Sequence, residues 1–184
     1  MFTYIALLRG INVSGHNKIK MTQLKQLFVD LSYHNITTYI QSGNVVFQSK
    51  KNSKSTIKAT ITEAIKTKFD YDVKVVIITK KELQTVFTSN PFLKINTSDI
   101  TKLCVTFLSN NPLLENIPQI EALIANNPDE FKIINKSIYL HCPTGFGRTK
   151  LTNNLFERKL KSDATTRNWK TITKLIEISN GTFE

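Results

Sequence analysis

Arginine is the scarce cation in this chain, and its positions single out where chemistry would concentrate. Of 25 basic residues only four are arginine: Arg9, Arg148, Arg158 and Arg167. Lysine is a flexible point charge, whereas the planar guanidinium fork matches carboxylate or phosphate and tolerates partial burial. Arg9 closes the apolar run Tyr4 to Leu8 and opens a loop containing Gly10, Asn12 and Gly15. Arg148 lies in Pro143–Lys150 (PTGFGRTK), a glycine-containing stretch between a strand pattern and a helix pattern. Strand, glycine loop and helix is the order that aims backbone N–H groups and a helix dipole at an anion. Gly145, Gly147, Arg148 and Lys150 therefore make the leading candidate site for a phosphate or carboxylate group. Arg9, Asn12, Asn44 and Arg167 complete the candidate set.

The same residues have ordinary structural uses. An arginine at the end of an apolar strand suits an internal ion pair or carbonyl contacts. Gln41-Ser42-Gly43-Asn44 between two apolar runs is hairpin chemistry. Pro143–Lys150 has neither the Walker nor the dinucleotide spacing, so it names no nucleotide. Ser42 lacks the nucleophile-elbow pattern. His16, His34 and His141 lack metal-ligand spacing, and no close carboxylate pair suggests glycoside chemistry. Cys104, within LCVTF, reads as a small hydrophobe on a strand, and Cys142 stands unpaired at a strand end. No catalytic set, metal site or cofactor motif is recognisable.

The elements that would carry these residues follow from periodicity and punctuation. Strands are expected over Thr3 to Leu8, Ile36 to Ile40, Val45 to Gln48 and Val73 to Thr79. A helix capped by Thr22 carries Leu24, Leu27, Phe28 and Leu31. A second, opened by Ser53 or Ser55, carries Ile57, Ile61, Ala64, Ile65 and Phe69. The order βαββαβ is the ferredoxin-like, split-βαβ arrangement. A short helix over Lys80 to Thr88 ends at Asn90-Pro91, and residues 89–100 form the expected boundary between halves spanning 1–90 and 91–184. The second half reads as a strand over Lys102 to Leu108, a helix over Gln119 to Ala125, and a hairpin of Phe131 to Ile134 with Ser137 to Cys142. A helix over Thr152 to Leu160 follows, and a last helix is capped by Thr165 or Thr166, so that Arg167 would lie at its start. That is βαββα with a helix in place of the final strand. The fold class is α+β: two ferredoxin-like halves whose small antiparallel sheets are covered by helices.

The net charge is +11, concentrated toward the start: residues 1–92 hold 13 basic and 5 acidic side chains (+8), residues 93–184 hold 12 and 9 (+3). Such an excess suits anionic partners. It equally suits dispersed lysines on solvent faces in a chain rich in Lys, Asn and Ile. The first ten residues lack a basic segment, a long apolar stretch and a small-residue cleavage site, so the expected location is the cytoplasm, with no membrane partner.

Five stretches together resemble a bacterial family known as domain of unknown function 1697: Tyr4–Val13 (YIALLRGINV), Lys18–Met21 (KIKM), Thr38–Phe47 (TYIQSGNVVF), Pro143–Leu151 (PTGFGRTKL) and Ala164–Thr171 (ATTRNWKT). Ser14 departs from that pattern, where a glycine is usual. The resemblance implies a fold and no mechanism. The functional expectation therefore rests on the residues: a small phosphorylated or otherwise anionic ligand bound between the halves by Arg9, the 144–150 loop, Asn12 and Asn44. The alternatives are a nucleic-acid-binding protein using its basic surface, or an enzyme acting on a phosphorylated metabolite.

Overall fold

The computed structural model describes residues 1–50, 53–94 and 99–181. The expected boundary over 89–100 thus falls partly outside the described residues, at 95–98. The chain divides into two compact units, Met1–Thr85 together with the stretch from Lys174 onward, and Val86–Thr173.

In the first unit, β1 (Phe2–Leu8) is followed by α1 (Met21–Asp30), β2 (His34–Tyr39), β3 (Asn44–Ser49), α2 (Lys54–Phe69) and β4 (Val75–Thr79). All neighbours pair antiparallel in the order β2-β3-β1-β4, with Tyr4 opposite Phe47 on one side and Thr79 on the other. The central strand is buried along both faces, which is why its sequence is a continuous apolar run and not an alternating one. Tyr4, Ala6, Leu8, Val45, Phe47, Val75 and Ile77 form the sheet side of one core, and Leu24, Leu27, Phe28, Ile57, Ile61 and Ile65 supply its helical side. Phe47 sits at its aromatic centre, with ring centroids 4.6 Å from Tyr33 and 5.1 Å from Phe28. Ser53 caps α2 by accepting from the Thr56 N–H, as expected of one of the two serines proposed. α1 differs from expectation: it begins at Met21, with Lys20 at the cap position and no side-chain cap, and Thr22 lies inside it.

A helix α3 (Lys80–Thr88) follows directly on β4. Thr79 and Glu82 close a capping box at its start: the Glu82 N–H donates to Thr79 Oγ1 (3.1 Å) and the Thr79 N–H to Glu82 Oε2 (2.8 Å). The second unit then runs β5 (Leu103–Leu108), α4 (Ile117–Ile124), β6 (Glu130–Ile134), β7 (Ser137–His141), α5 (Asn153–Leu160) and β8 (Ala164–Asn168), with α6 (Trp169–Ser179) last. Its sheet order, β6-β7-β5-β8, repeats that of the first.

Strand β8 corrects the sequence reading. Residues 164–168 pair with β5, Arg167 opposite Val105, and Thr166 Oγ1 lies 2.6 Å from Thr106 Oγ1. The last helix starts only at Trp169 and is capped by Asn168, whose Oδ1 accepts from the Thr171 N–H at 2.8 Å. Thr165 and Thr166 are strand residues, and the second unit is βαββαβ like the first.

Candidate functional site

Leu8 ends β1, and its N–H donates to the Gly43 carbonyl at 2.8 Å; the Arg9 N–H donates to Lys74 at 2.9 Å. The chain then crosses to α1 through a loop with positive φ at Gly10 (71°), Asn12 (56°), Ser14 (48°), Gly15 (81°) and Asn17 (47°). Five left-handed residues in eight need support from elsewhere, since each non-glycine there carries strain. Ile11 and Ile19 give it by burying at the two ends of the loop. Asn12 gives more. Its Nδ2 donates to the Ile19 and Gln41 carbonyls, both at 2.9 Å, and its Oδ1 accepts from the Ile19 N–H at 2.9 Å. Asn17 Nδ2 donates to the Gly10 carbonyl at 3.0 Å.

Through the Gln41 contact the loop is joined to the β2–β3 turn. Gly43 stands at φ 76°, and a Cβ there would lie 2.7 Å from Leu8 Cβ and 2.8 Å from Ile11 Cδ1, so only glycine fits. Asn44 is fully buried and donates from Nδ2 to the Tyr39 carbonyl and to Ser42 Oγ, both at 3.0 Å. Arg9, Asn12 and Asn44 thus come together at one end of the first sheet, with distinct placements. Asn12 and Asn44 turn their amides inward and shape the loop and the turn. Arg9 stands half-buried at the loop's root, and Val13 to His16, with Lys18 and Lys20, are exposed beyond it. Positive φ at Gly10, Asn12 and Ser14 turns the backbone sharply, and within the loop the Asn12 N–H donates to the Asn17 carbonyl at 3.1 Å and the His16 N–H to the Val13 carbonyl at 2.9 Å. The adjoining helix start lacks a side-chain cap and has no acidic residue in its first turn, so its N–H groups and dipole suit a negative charge.

The loop Pro143–Lys150 in the second unit is also built. Gly145 takes φ 96°, its N–H donates to the Cys142 carbonyl at 2.9 Å, and the Arg148 N–H donates back to Gly145 at 3.1 Å around a short 3-10 turn, Phe146–Arg148. A Cβ on Gly147 would meet nothing within 4 Å, and its φ is ordinary. Arg148 is exposed; Lys150 is exposed and reaches the Leu123 carbonyl at 3.4 Å. Thr149 points inward, donating from Oγ1 to Asp129 Oδ2 at 2.5 Å and accepting from the Leu151 N–H at 3.0 Å. The α5 terminus beyond is already capped, since Thr152 Oγ1 accepts from the Leu155 N–H.

Arg167 is carried by β8 and is buried. It donates from Nη1 to Thr165 Oγ1 (2.8 Å) and the Thr166 carbonyl (2.9 Å), and burial pulls its guanidinium down to about 10. The two thiols are buried and free; burial pushes Cys104 up to about 12 and Cys142 up to about 11. Both are protonated at neutral pH, the opposite of an activated nucleophile. His141 Nδ1 lies 3.1 Å from Glu130 Oε1, an exposed acid across the β6–β7 pair. Among the described residues no three His, Cys, Asp or Glu side chains gather as a metal site, and no helix is long and apolar enough to cross a membrane. Sequence reasoning missed Asp129 altogether. Its partner lies 20 positions away, and no local pattern joins the two.

These observations define a chain of mixed helix and sheet, with two four-stranded antiparallel sheets each packed with helices. A solved structure described as that of conserved bacterial protein SP0830 from Streptococcus pneumoniae shares this arrangement. It matches with a TM-score of 0.73 at 20% identity, over 97% of this chain and 98% of that one. The chain belongs to the family described as "Protein of unknown function (DUF1697)", whose model matches residues 1–139. The matched span includes the β1–α1 loop and the β2–β3 turn and ends before Pro143. No curated protein matches the chain.

Proposed function

We propose that this protein binds a small phosphorylated or otherwise anionic ligand. The β1–α1 loop and Arg9 are its principal contacts; in the second unit, Arg148 and Lys150 are exposed cations open to an anion of their own. The observation that carries this reading is the loop itself. Five left-handed residues are held in place by two buried isoleucines and an asparagine that spends its whole amide on the loop and the neighbouring turn. Strained backbone persists where the surroundings over-determine it, and such places concentrate at binding sites. In this reading Asn12, Asn44 and Gly145 position backbone, and Arg9, Arg148 and Lys150 meet charge.

The nucleic-acid alternative calls for exposed aromatic platforms beside the basic residues. Strand residues that alternate with the first core, Ile5, Leu7, Val46 and Val76, are aliphatic and buried. Trp169 is buried as well, stacked on Phe87 at 5.3 Å. Phe146, exposed beside Arg148, is the one aromatic ring of the Pro143–Lys150 loop, and a single ring favours the small ligand over a nucleic-acid strand.

A thermal-shift screen at low salt against inorganic phosphate, sugar phosphates and nucleotides tests the proposal. A ligand at 100 times its Kd adds about 2.7 kcal/mol, or roughly 5–10 °C for a chain of this size. Arg9→Gln should abolish most of that shift while leaving the unliganded Tm within a few degrees. If no anion moves Tm by more than the scatter, or if Arg9→Gln binds as well as wild type, the proposal is wrong.

A further inference from the structure

Beneath the exposed loop Pro143–Lys150 lies a small buried polar cluster to which the ligand reading assigns nothing. Asp129, on the turn before β6, is 3% exposed. One carboxylate oxygen, Oδ2, takes the Thr149 hydroxyl at 2.5 Å; the other, Oδ1, is buried and has no hydrogen-bond partner. Cys142, where the loop begins, is fully buried beside the same groups: after burial itself, the Asp129 charge raises its thiol, and a hydrogen bond with Thr149 lowers it. Both roots of the loop therefore meet at Asp129, Cys142 at the start and Thr149 near the end.

A buried carboxylate with one oxygen unsatisfied is an unstable tie, because water would serve that oxygen better than the closed structure does. Releasing Thr149 breaks one strong hydrogen bond but rehydrates the whole carboxylate. Two glycines, Gly145 and Gly147, lie between the roots, and a Cβ on either would meet nothing within 4 Å, so the loop is open at these two positions. We infer that Pro143–Lys150 is a two-state flap latched from below by Asp129 through Thr149, and that opening uncovers the Cys142 thiol. Latched, the flap holds Arg148 and Lys150 in one fixed display; open, it scatters them. Asp129 is thus a positioning residue for the cations of the second unit. The latch stands without the anion-binding proposal; only its coupling to ligand rests on that reading.

The test is the alkylation rate of each cysteine in the folded full chain, read peptide by peptide by mass spectrometry with iodoacetamide. Thr149→Val keeps the side-chain shape but leaves the carboxylate with no donor. Cys142 should then react about ten-fold faster or more than in wild type, while Cys104 on the central strand keeps its rate. Adding Asp129→Val to Thr149→Val removes the stranded carboxylate, while the Leu151 N–H lacks its Thr149 acceptor in both variants, so Cys142 should react more slowly than in Thr149→Val alone. Equal acceleration of the two cysteines, or acceleration of neither, overturns the latch. Should Thr149→Val fail to fold, amide exchange in wild type decides. Gly145 and Arg148 N–H groups exchanging ahead of β7 supports the flap, and exchange only together with β7 overturns it. Inorganic phosphate should slow Cys142 alkylation in wild type if Arg148 and Lys150 hold an anion. No slowing, with the variant pattern intact, counts against the ligand reading and leaves the latch standing.

Discussion

Gly43→Ala is the substitution whose cost can be worked most directly from the geometry. An alanine Cβ would come within 2.7 Å of Leu8 Cβ and 2.8 Å of Ile11 Cδ1, at φ 76°. Left-handed backbone costs a non-glycine roughly 1–2 kcal/mol, and forcing a methyl into a packed site costs roughly 1–3 kcal/mol. Stiffening the unfolded chain returns roughly 0.4–1 kcal/mol. The net loss is about 1–5 kcal/mol, at the upper end if the turn cannot move. Two glycines serve as controls. Gly10 has φ 71° but open space around it, so Gly10→Ala should cost no more than about 1.5 kcal/mol, the strain less the unfolded-state gain. Gly147 has ordinary φ and open space, so Gly147→Ala should be neutral or slightly stabilising. Urea unfolding of the three variants measures the order directly. Introducing Gly43→Ala into an Ile11→Val background removes one clashing carbon and should reduce the penalty, a coupling that a double-mutant cycle reads. If Gly43→Ala proves as mild as Gly10→Ala, the turn yields to the methyl, and the claim that Gly43 locks it against the β1–α1 loop is refuted.

Glu82 predicts a pH dependence. Burial alone would raise its carboxyl, but the Lys54 ammonium and the Thr79 N–H and hydroxyl outweigh that and hold it below the ordinary value of about 4.5. A depressed carboxyl contributes stability above its unfolded value that is lost as pH falls through the folded one. Wild type should therefore lose stability below pH about 4.5 more steeply than Glu82→Gln, and parallel urea midpoints from pH 5 to pH 3 would contradict this. Cys104→Ala combined with Cys142→Ala should lower Tm, since both side chains pack in the second core, yet leave phosphate-induced shifts unchanged. Loss of those shifts in a folded double variant would restore a role for a thiol.

The local chemistry of the chain determined most of its elements, because caps, turns and apolar periodicity act within a few residues. The run Tyr4 to Leu8 could only be a buried strand, the isoleucines of α2 could only face a core, and Asn135, at φ 54°, takes the left-handed turn its residue type favours. The repeated βαββ order of both halves was legible for the same reason. Strand β8 was not, because Ala164-Thr-Thr-Arg-Asn168 is polar and its threonines suit a helix cap as well as a strand. Only the free edge of β5 decides between them, by offering hydrogen bonds that outweigh a local cap and a buried place for Arg167. The candidate site divides in the same way. Glycines and arginines mark its loops in the sequence, since backbone freedom and fixed charge belong to single residues. Which amides turn inward, and that Asp129 ties down Thr149, depends on carbonyls and carboxylates brought close from 29 and 20 positions away. Such contacts require the tertiary arrangement that brings distant segments together, where burial makes an unpaired polar group more costly than the loop order needed to pair it.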